Sequence, residues 1–144
     1  MKFELGKKRY NDYPTFFKTL FEERVQKLLI DGGFTCPNRD GSKGVGGCSF
    51  CNNESFNPDY CRAVRGITEQ IDEGIRFFAR KYKGQRYLAY FQAYSNTYAP
   101  LDVLKLRYEE ALAHPMISGL VIGTRPDVVS EEVLDYLEEL ARRY

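Results

Sequence analysis

The sequence predicts an α/β fold built from parallel strand–helix units. Three short apolar segments favour strands, and after the second and the third of them a loop leads to an amphipathic segment that favours a helix. A long glycine-rich segment lies between the first strand and its helix. This alternation is typical of βαβ units with right-handed crossovers. The chain has 144 residues, which is enough for one core, so we expect a single domain over 1–144.

The strands are predicted at 24–30, 86–92 and 119–123, and the third is short and apolar enough to be buried on both faces. Before them, Pro14 is expected to open a short helix. The apolar face of that helix would comprise Phe16, Phe17, Leu20 and Phe21.

Three further helices are predicted from apolar residues that recur every three or four positions. Thr68 is expected to cap the first of these helices. Lys83 would lie near its carboxyl end, and Gly84 would stop it. The next lies between Pro100 and Pro115, and Ser130 is expected to cap the last. The inward residues of these helices would be Ile67, Ile71, Ile75, Phe78, Leu101, Leu104, Tyr108, Leu112, Val133, Leu134, Leu137 and Leu140.

Composition and charge exclude several classes of protein. Apolar residues make up 43% of the chain, charged residues 28%, and the net charge is +1, which does not match the basic patch of a dedicated nucleic-acid binder. No apolar run approaches the roughly 20 residues of a transmembrane helix. The first residues lack the apolar segment of a secretory signal. We therefore expect a cytoplasmic protein without membrane contact.

All four cysteines lie in one segment, 31–65, with the spacing Cys36-x11-Cys48-x2-Cys51-x9-Cys61. In a reducing compartment such clustering favours metal or redox chemistry over disulfides. The segment has no helical or strand periodicity and, without a metal, too few apolar anchors to be ordered. The spacing by itself is compatible with two kinds of metal site. One is a closed zinc site of four cysteines, and the other is a [4Fe–4S] cluster held by three.

Loops that follow parallel strands meet at one edge of the sheet. The cysteine loop (31–65), the segment 92–100 and the segment 124–127 each come directly after a predicted strand. We therefore expect the three to converge.

The segments 31–41 and 44–52, with the strand ends 91–100 and 123–127, resemble the radical S-adenosylmethionine (SAM) superfamily. More narrowly, they resemble the amino-terminal half of the YhcC/YtqA-type proteins, relatives of the Elongator catalytic subunit. The commonest superfamily spacing has three residues between the first two cysteines, whereas eleven separate Cys36 from Cys48 here. Members of the family have a longer, partial TIM-like barrel. The present chain would supply about three strand–helix units of it.

The resemblance implies that Cys36, Cys48 and Cys51 ligate a [4Fe–4S] cluster and that SAM chelates the fourth iron. Reductive cleavage of SAM would then give a 5′-deoxyadenosyl radical. It also implies a one-electron reductant such as flavodoxin or ferredoxin and a substrate that is unknown, with RNA suggested by analogy alone. The unpaired edge of a partial barrel would be open to pairing with another strand. The sequence offers no candidate for a further catalytic residue.

The resemblance also indicates SAM-binding residues, each with an alternative role. Phe50 would pack on the adenine edge, or it is an ordinary core aromatic. Gln92, Tyr94, Asn96 and Thr97 would bind SAM, or they cap the loop. Arg125 would bridge a carboxylate of SAM or substrate, or it pairs with Asp127. Cys61 is expected to be an inert buried thiol, with a substrate-side thiol and a fourth metal ligand as alternatives.

Overall fold

The computed structural model describes residues 9–52, 55, 57–81 and 85–144. Lys83 and Gly84, the predicted end of the second helix, lie outside the described residues. Within those ranges the elements in chain order are α1 (Tyr13–Leu20), β1 (Arg24–Ile30), α2 (Ile67–Ala79), β2 (Gln85–Phe91), α3 (Leu101–Leu112), β3 (Ile117–Ile122), a 3₁₀ turn (Pro126–Val128) and α4 (Glu131–Arg143).

The three strands form one parallel sheet in the order β1-β2-β3. Leu28 of β1 pairs with Ala89 of β2, which pairs in turn with Leu120 of β3. The register shifts between Tyr87 and Ala89 where β2 meets β3. The predicted α/β fold with parallel strands and alternating helices is therefore confirmed.

The core lies between one face of the sheet and the helices α2, α3 and α4. That face carries buried residues at alternating positions, as the pleat of a strand requires. They are Leu28, Ile30, Tyr87, Ala89, Phe91 and Ile117. Helix α4 joins this layer through the stacked rings of Tyr108 and Tyr136, whose centroids are 6.5 Å apart.

The opposite face of the sheet is only partly covered. Lys27 lies on this face, and its Nζ is 5.0 Å from the ring centroid of Tyr13 in α1 and 4.7 Å from that of Tyr90 in β2. Helix α1 thus reaches the face that the other helices leave uncovered. The prediction that β3 is buried on both faces is wrong, because only Ile117 of its residues is fully buried. No helix layer covers its second face within the described ranges.

The helix starts show which predicted caps form. Asp12 caps α1, with Pro14 in the first turn, and Ser130 caps α4 as predicted. Thr68 is not the cap of α2, since the helix begins one residue earlier behind Gly66. Instead, Glu110 of α3 accepts hydrogen bonds from the Thr68 backbone and hydroxyl. A carboxylate from a neighbouring helix therefore satisfies the first turn of α2.

Two predicted inward residues point to solvent. Leu20 and Leu134 are both about half exposed, whereas Tyr136 takes the buried position in α4.

Among the described helices, none is long and apolar enough to cross a membrane.

Candidate metal and cofactor site

Backbone hydrogen bonds bring the loops after the three strands together, as predicted. Ser95 N–H donates to the carbonyl of Thr35 in the cysteine loop at 3.2 Å. Asn96 N–H donates to the carbonyl of Gly123 at the end of β3 at 3.0 Å. The carboxyl edge of the sheet therefore carries one continuous surface of three loops.

Tight turns fold the cysteine loop back on itself. The Cys36 carbonyl accepts from Arg39 N–H at 2.9 Å, the Asn38 carbonyl from Gly47 N–H at 2.9 Å, and the Cys48 carbonyl from Cys51 N–H at 3.0 Å. Gly47 has a φ of 89°, a conformation that favours glycine. These turns bring Cys48 beside the segment that begins at Cys36.

The cysteine loop has more buried anchors than the sequence suggested. Phe34, Pro37, Tyr60 and Cys61 are all buried. That the segment is not ordered without a metal stays a prediction. The anchors were missed because they are single residues scattered among glycines and polar residues.

The three predicted cluster ligands differ in exposure. Cys36 and Cys48 are partly buried, Cys51 is exposed, and none of them is in a disulfide. Asn38 Nδ2 donates to Cys48 Sγ at 3.1 Å, and Cys36 lies near enough to the Arg125 guanidinium to add, after Asp127, to the rise of the Arg125 pKa. In the part of the chain that the structure describes, no three His, Cys, Asp or Glu side chains form a group that could hold a metal ion.

The chemistry of these side chains fits an iron–sulfur cluster. Such clusters take cysteine thiolates as ligands, and their properties depend on hydrogen bonds to the sulfurs. Three free cysteines on one loop would supply the ligands, Asn38 donates a hydrogen bond to one of the sulfurs, and the Arg125 guanidinium lies near a second. The donor set therefore fits the group, although its sulfurs are not gathered as ligands.

Cys61 differs from the other three cysteines. Its side chain is 1% exposed. Burial, and after it the nearby Asp31 carboxylate, raises the pKa of the Cys61 thiol to about 12. This is the environment expected of an inert buried thiol.

Arg125 makes the salt bridge that was its alternative role. Its Nε and Nη2 donate to the two carboxylate oxygens of Asp127 at 2.9 and 2.8 Å. Lys43 of the cysteine loop donates to the same carboxylate at 2.5 Å. Hydrogen bonds from Arg125, and then from Lys43, hold the pKa of Asp127 well below its usual value. Asp127 thus ties the cysteine loop to the segment after β3.

Tyr94 contacts the cysteine loop directly. Its backbone φ is 62°, a left-handed conformation that is uncommon for a residue with a side chain. Its ring centroid lies 4.7 Å from the guanidinium carbon of Arg39. A Cβ at Gly47 would lie 3.1 Å from Arg39 Nη1, so Arg39 is packed between the two loops.

Asn96 and Thr97 are buried and hold loops together. Asn96 Nδ2 donates to the carbonyls of Ala93 and Gly123 at 3.0 and 2.8 Å. The Thr97 hydroxyl donates to the Val128 carbonyl at 2.7 Å and pairs with the Thr124 hydroxyl at 2.6 Å. Both therefore have the loop-capping role that was their alternative. These hydrogen bonds do not show that either residue binds a ligand.

Gln92 and Phe50 are differently placed. Gln92 is partly buried at the end of β2, and its side-chain amide makes no hydrogen bond to the described residues. Phe50 is 88% exposed, so its interpretation as a core aromatic is wrong. Both side chains are available for an external ligand.

A cavity of about 570 Å³ opens beside the cysteine loop. It is lined by Asp40 of that loop, by Thr97 and Tyr98, and by Asp127 and Ser130. A volume of this size is typical of small-molecule sites. Of the predicted SAM-binding residues, Thr97 lines it.

Comparison with known proteins finds relatives that are longer than this chain. Protein YhcC of Escherichia coli K12 is 47% identical over 119 residues, covering 83% of this chain and 37% of YhcC. The uncharacterised protein YtqA of Bacillus subtilis is 38% identical over 136 residues, covering 94% of this chain and 42% of YtqA. The uncharacterised protein MJ0486 of Methanocaldococcus jannaschii is 34% identical over 133 residues.

The chain thus spans about two fifths of the length of the curated relatives it matches. No protein-family model matches it, and no solved structure does. The names of the relatives state no activity.

Several residues of the site were missed from the sequence. Asn38 and Lys43 lie within the cysteine loop, where a search for donors near the cysteines could have found them. Gln70, whose amide oxygen accepts from Asp31 N–H, lies in α2 between Glu69 and Ile71, and no local signal marks it.

Proposed function

We propose that this chain is the cluster-bearing amino-terminal portion of a radical SAM enzyme whose substrate is unknown. Cys36, Cys48 and Cys51 would hold a [4Fe–4S] cluster. The observation that carries the proposal is a loop of free cysteines at the carboxyl edge of a parallel sheet, with a hydrogen-bond donor at the Cys48 sulfur and a guanidinium near Cys36. Ligands of parallel α/β folds bind at this edge.

The chain's own residues would bind and tune the cluster. With SAM bound, such a cluster would supply the electron for reductive cleavage of SAM to a 5′-deoxyadenosyl radical. Asn38 would donate to the Cys48 sulfur and Arg125 to the Cys36 sulfur, and such donors stabilise negative charge on sulfur. Lys43 and Asp127 would hold the loop against the sheet.

SAM would lie between the cysteine loop and the ends of β2 and β3. The amide of Gln92, which makes no hydrogen bond to the described residues, and the exposed ring of Phe50 are available to contact it. Thr97 lines the neighbouring cavity. Tyr94, Asn96 and Arg125 would shape the site through their contacts with the loops.

We also propose that the sheet is the first part of a TIM-like barrel. Helices α2–α4 lie on one face, and the other face is only partly covered. A complete eight-unit barrel takes about 250 residues, and the relatives are more than twice the length of the matched segment. The second edge of β3 would take a further strand, from a longer chain or from a partner.

The remaining partners follow from the chemistry. A low-potential one-electron donor such as flavodoxin or ferredoxin would reduce the cluster. The proposed location is the cytoplasm, because reduced thiols need a reducing compartment. An RNA-related substrate rests only on analogy with the Elongator catalytic subunit.

Anaerobic reconstitution with ferrous iron and sulfide tests the proposal. We expect brown protein with about four irons and broad absorbance near 400 nm that dithionite bleaches. Replacing Cys36, Cys48 or Cys51 with alanine should remove most of the iron. Release of 5′-deoxyadenosine from SAM then reports whether the chain turns over by itself.

The matched control is Cys61→Ala. It should keep its iron, because the Cys61 thiol is buried and its pKa is raised to about 12. A colourless protein that holds one zinc and loses it in Cys61→Ala would contradict the proposal and indicate the four-cysteine zinc site instead.

A further inference from the structure

The cysteine loop leaves the sheet after Ile30 and returns to the fold at α2, so the two ends of a long segment must be held together. One side chain contacts both ends. Gln70 lies on the first turns of α2 and is 0% exposed.

The amide of Gln70 uses every hydrogen-bonding group it has on these two ends. Its Oε1 accepts from Asp31 N–H at 2.8 Å. Its Nε2 donates to the Asp31 carbonyl at 3.0 Å and to the Arg65 carbonyl at 3.1 Å. One amide therefore bridges the first and last residues of the segment 31–65.

No other side chain of similar size can make this set of bonds. Glutamate would bring a carboxylate oxygen against two carbonyl oxygens, and methionine would remove the amide's hydrogen bonds from three part-buried backbone groups. A second contact reinforces the same place, since Arg65 forms an ion pair with Glu73 of α2. The core itself does not require a polar residue here, because the neighbouring buried positions Ile67 and Ile71 are apolar.

We propose that Gln70 is a positioning residue that closes the neck of the cysteine loop and so holds the cysteines ready for metal. Its role in metal binding rests on the proposed function, whereas its role in ordering the loop does not. Fixing the two ends lowers the entropy that the loop loses when three cysteines engage one centre. The bridge therefore raises metal affinity without contacting the metal.

The test compares Gln70→Met with Gln85→Met in the full chain. Gln85 is also buried, but it lies at the opposite end of the sheet, where its amide donates to the Tyr87 hydroxyl. Amide hydrogen exchange reports the order of the loop. Cobalt(II) titration followed by thiolate-to-cobalt absorbance reports affinity and the number of thiolates.

For Gln70→Met we expect at least about a tenfold loss of exchange protection in the cysteine loop and a tenfold loss of cobalt affinity. Protection in β2 should be unchanged, and saturating cobalt should give the wild-type spectrum, because the ligands are the same. Gln85→Met should leave both loop readouts unchanged. Gln70→Glu, which keeps the acceptor and loses both donors, should behave as Gln70→Met does.

If Gln70→Met keeps the wild-type exchange protection of the cysteine loop and the wild-type cobalt affinity, the proposal is overturned. Loss of cooperative unfolding in both Gln70 variants while Gln85→Met still folds would also overturn it, because Gln70 would then hold the core rather than the loop. If the wild-type chain takes up no iron–sulfur cluster but the loop exchange still depends on Gln70, the proposed function fails and the neck bridge stands.

Discussion

The guanidinium carbon of Arg39 lies 4.7 Å from the ring centroid of Tyr94, so the cysteine loop rests on the loop that follows β2. Tyr94 reaches this position with a φ of 62°, which costs a residue with a side chain about 1–2 kcal/mol. A cation–π contact contributes about 0.5–1 kcal/mol at an exposed site. The contact therefore offsets only part of the backbone strain.

This strain predicts an unusual order of stability at position 94. Tyr94→Gly should be more stable than Tyr94→Ala by about 1 kcal/mol, because both lose the ring and only glycine relieves the left-handed backbone. Urea unfolding measures the difference. Tyr98 in the same loop has no positive φ, so there the glycine variant should be the less stable one. If the glycine and alanine variants have the same order of stability at positions 94 and 98, the backbone strain at Tyr94 is refuted.

The salt bridges of Asp127 predict a pH dependence. Because Arg125 and Lys43 lower the pKa of Asp127 in the folded state, its contribution to stability is present above its unfolded pKa of about 3.9. That contribution is lost as the pH falls through the folded value. Asp127→Asn should therefore melt below wild type at pH 7, and the gap should narrow below about pH 4.

Thermal unfolding from pH 7 to pH 2 measures this gap. Asp59→Asn is the control, since Asp59 is fully exposed and lies 3.7 Å from Arg62, and its gap should be near zero throughout. A gap at Asp127 that stays constant with pH would show that the salt bridges do not act through ionisation.

The cysteines should differ in their reactivity with iodoacetamide. Cys51 is exposed, whereas Cys61 is buried and its pKa is raised to about 12. In the native, metal-free chain at pH 8, Cys61 should react at least about a hundredfold more slowly than Cys51. Mass spectrometry of the alkylated peptides gives both rates. Similar rates would show that Cys61 is accessible, and denaturant should abolish the difference.

The hydrogen bond from Asn38 to the Cys48 sulfur predicts weaker metal binding when it is removed. Asn38→Ala should lower cobalt(II) affinity by about tenfold, the lower end of the effect expected for a partner of a metal ligand. Asn52 lies exposed in the same loop, and Asn52→Ala should leave affinity unchanged. Equal affinities for both variants would mean that the Asn38 bond does not support the metal site.

Local sequence patterns predicted the bounds and caps of helices and strands well where these depend on neighbouring residues. The first strand has the predicted bounds, Arg24–Ile30, because its apolar residues gather toward its carboxyl end. The cap at Ser130 also formed, since a cap needs only residues within one turn. The cap at Thr68 was not predicted correctly, because the acceptor for that turn is Glu110 on another helix.

The candidate site also has a part that local sequence predicts and a part that it does not. The loop position and spacing of Cys36, Cys48 and Cys51 could be predicted because all three lie in one short segment. The burial of Cys61 fits its preferred interpretation. The salt bridge from Lys43 to Asp127 could not be predicted, because it joins segments that only the folded sheet brings together.

The sequence by itself determined the order of strands and helices and the gathering of four cysteines in one loop after β1, because both are properties of adjacent residues. Only the tertiary structure decided which polar groups hold that loop. Gln70 and Asp31 are 39 positions apart, and their contact requires α2 to pack beside the end of β1. Hydrogen bonds are short and directional, so such pairs become visible only when packing has set the distance between their elements.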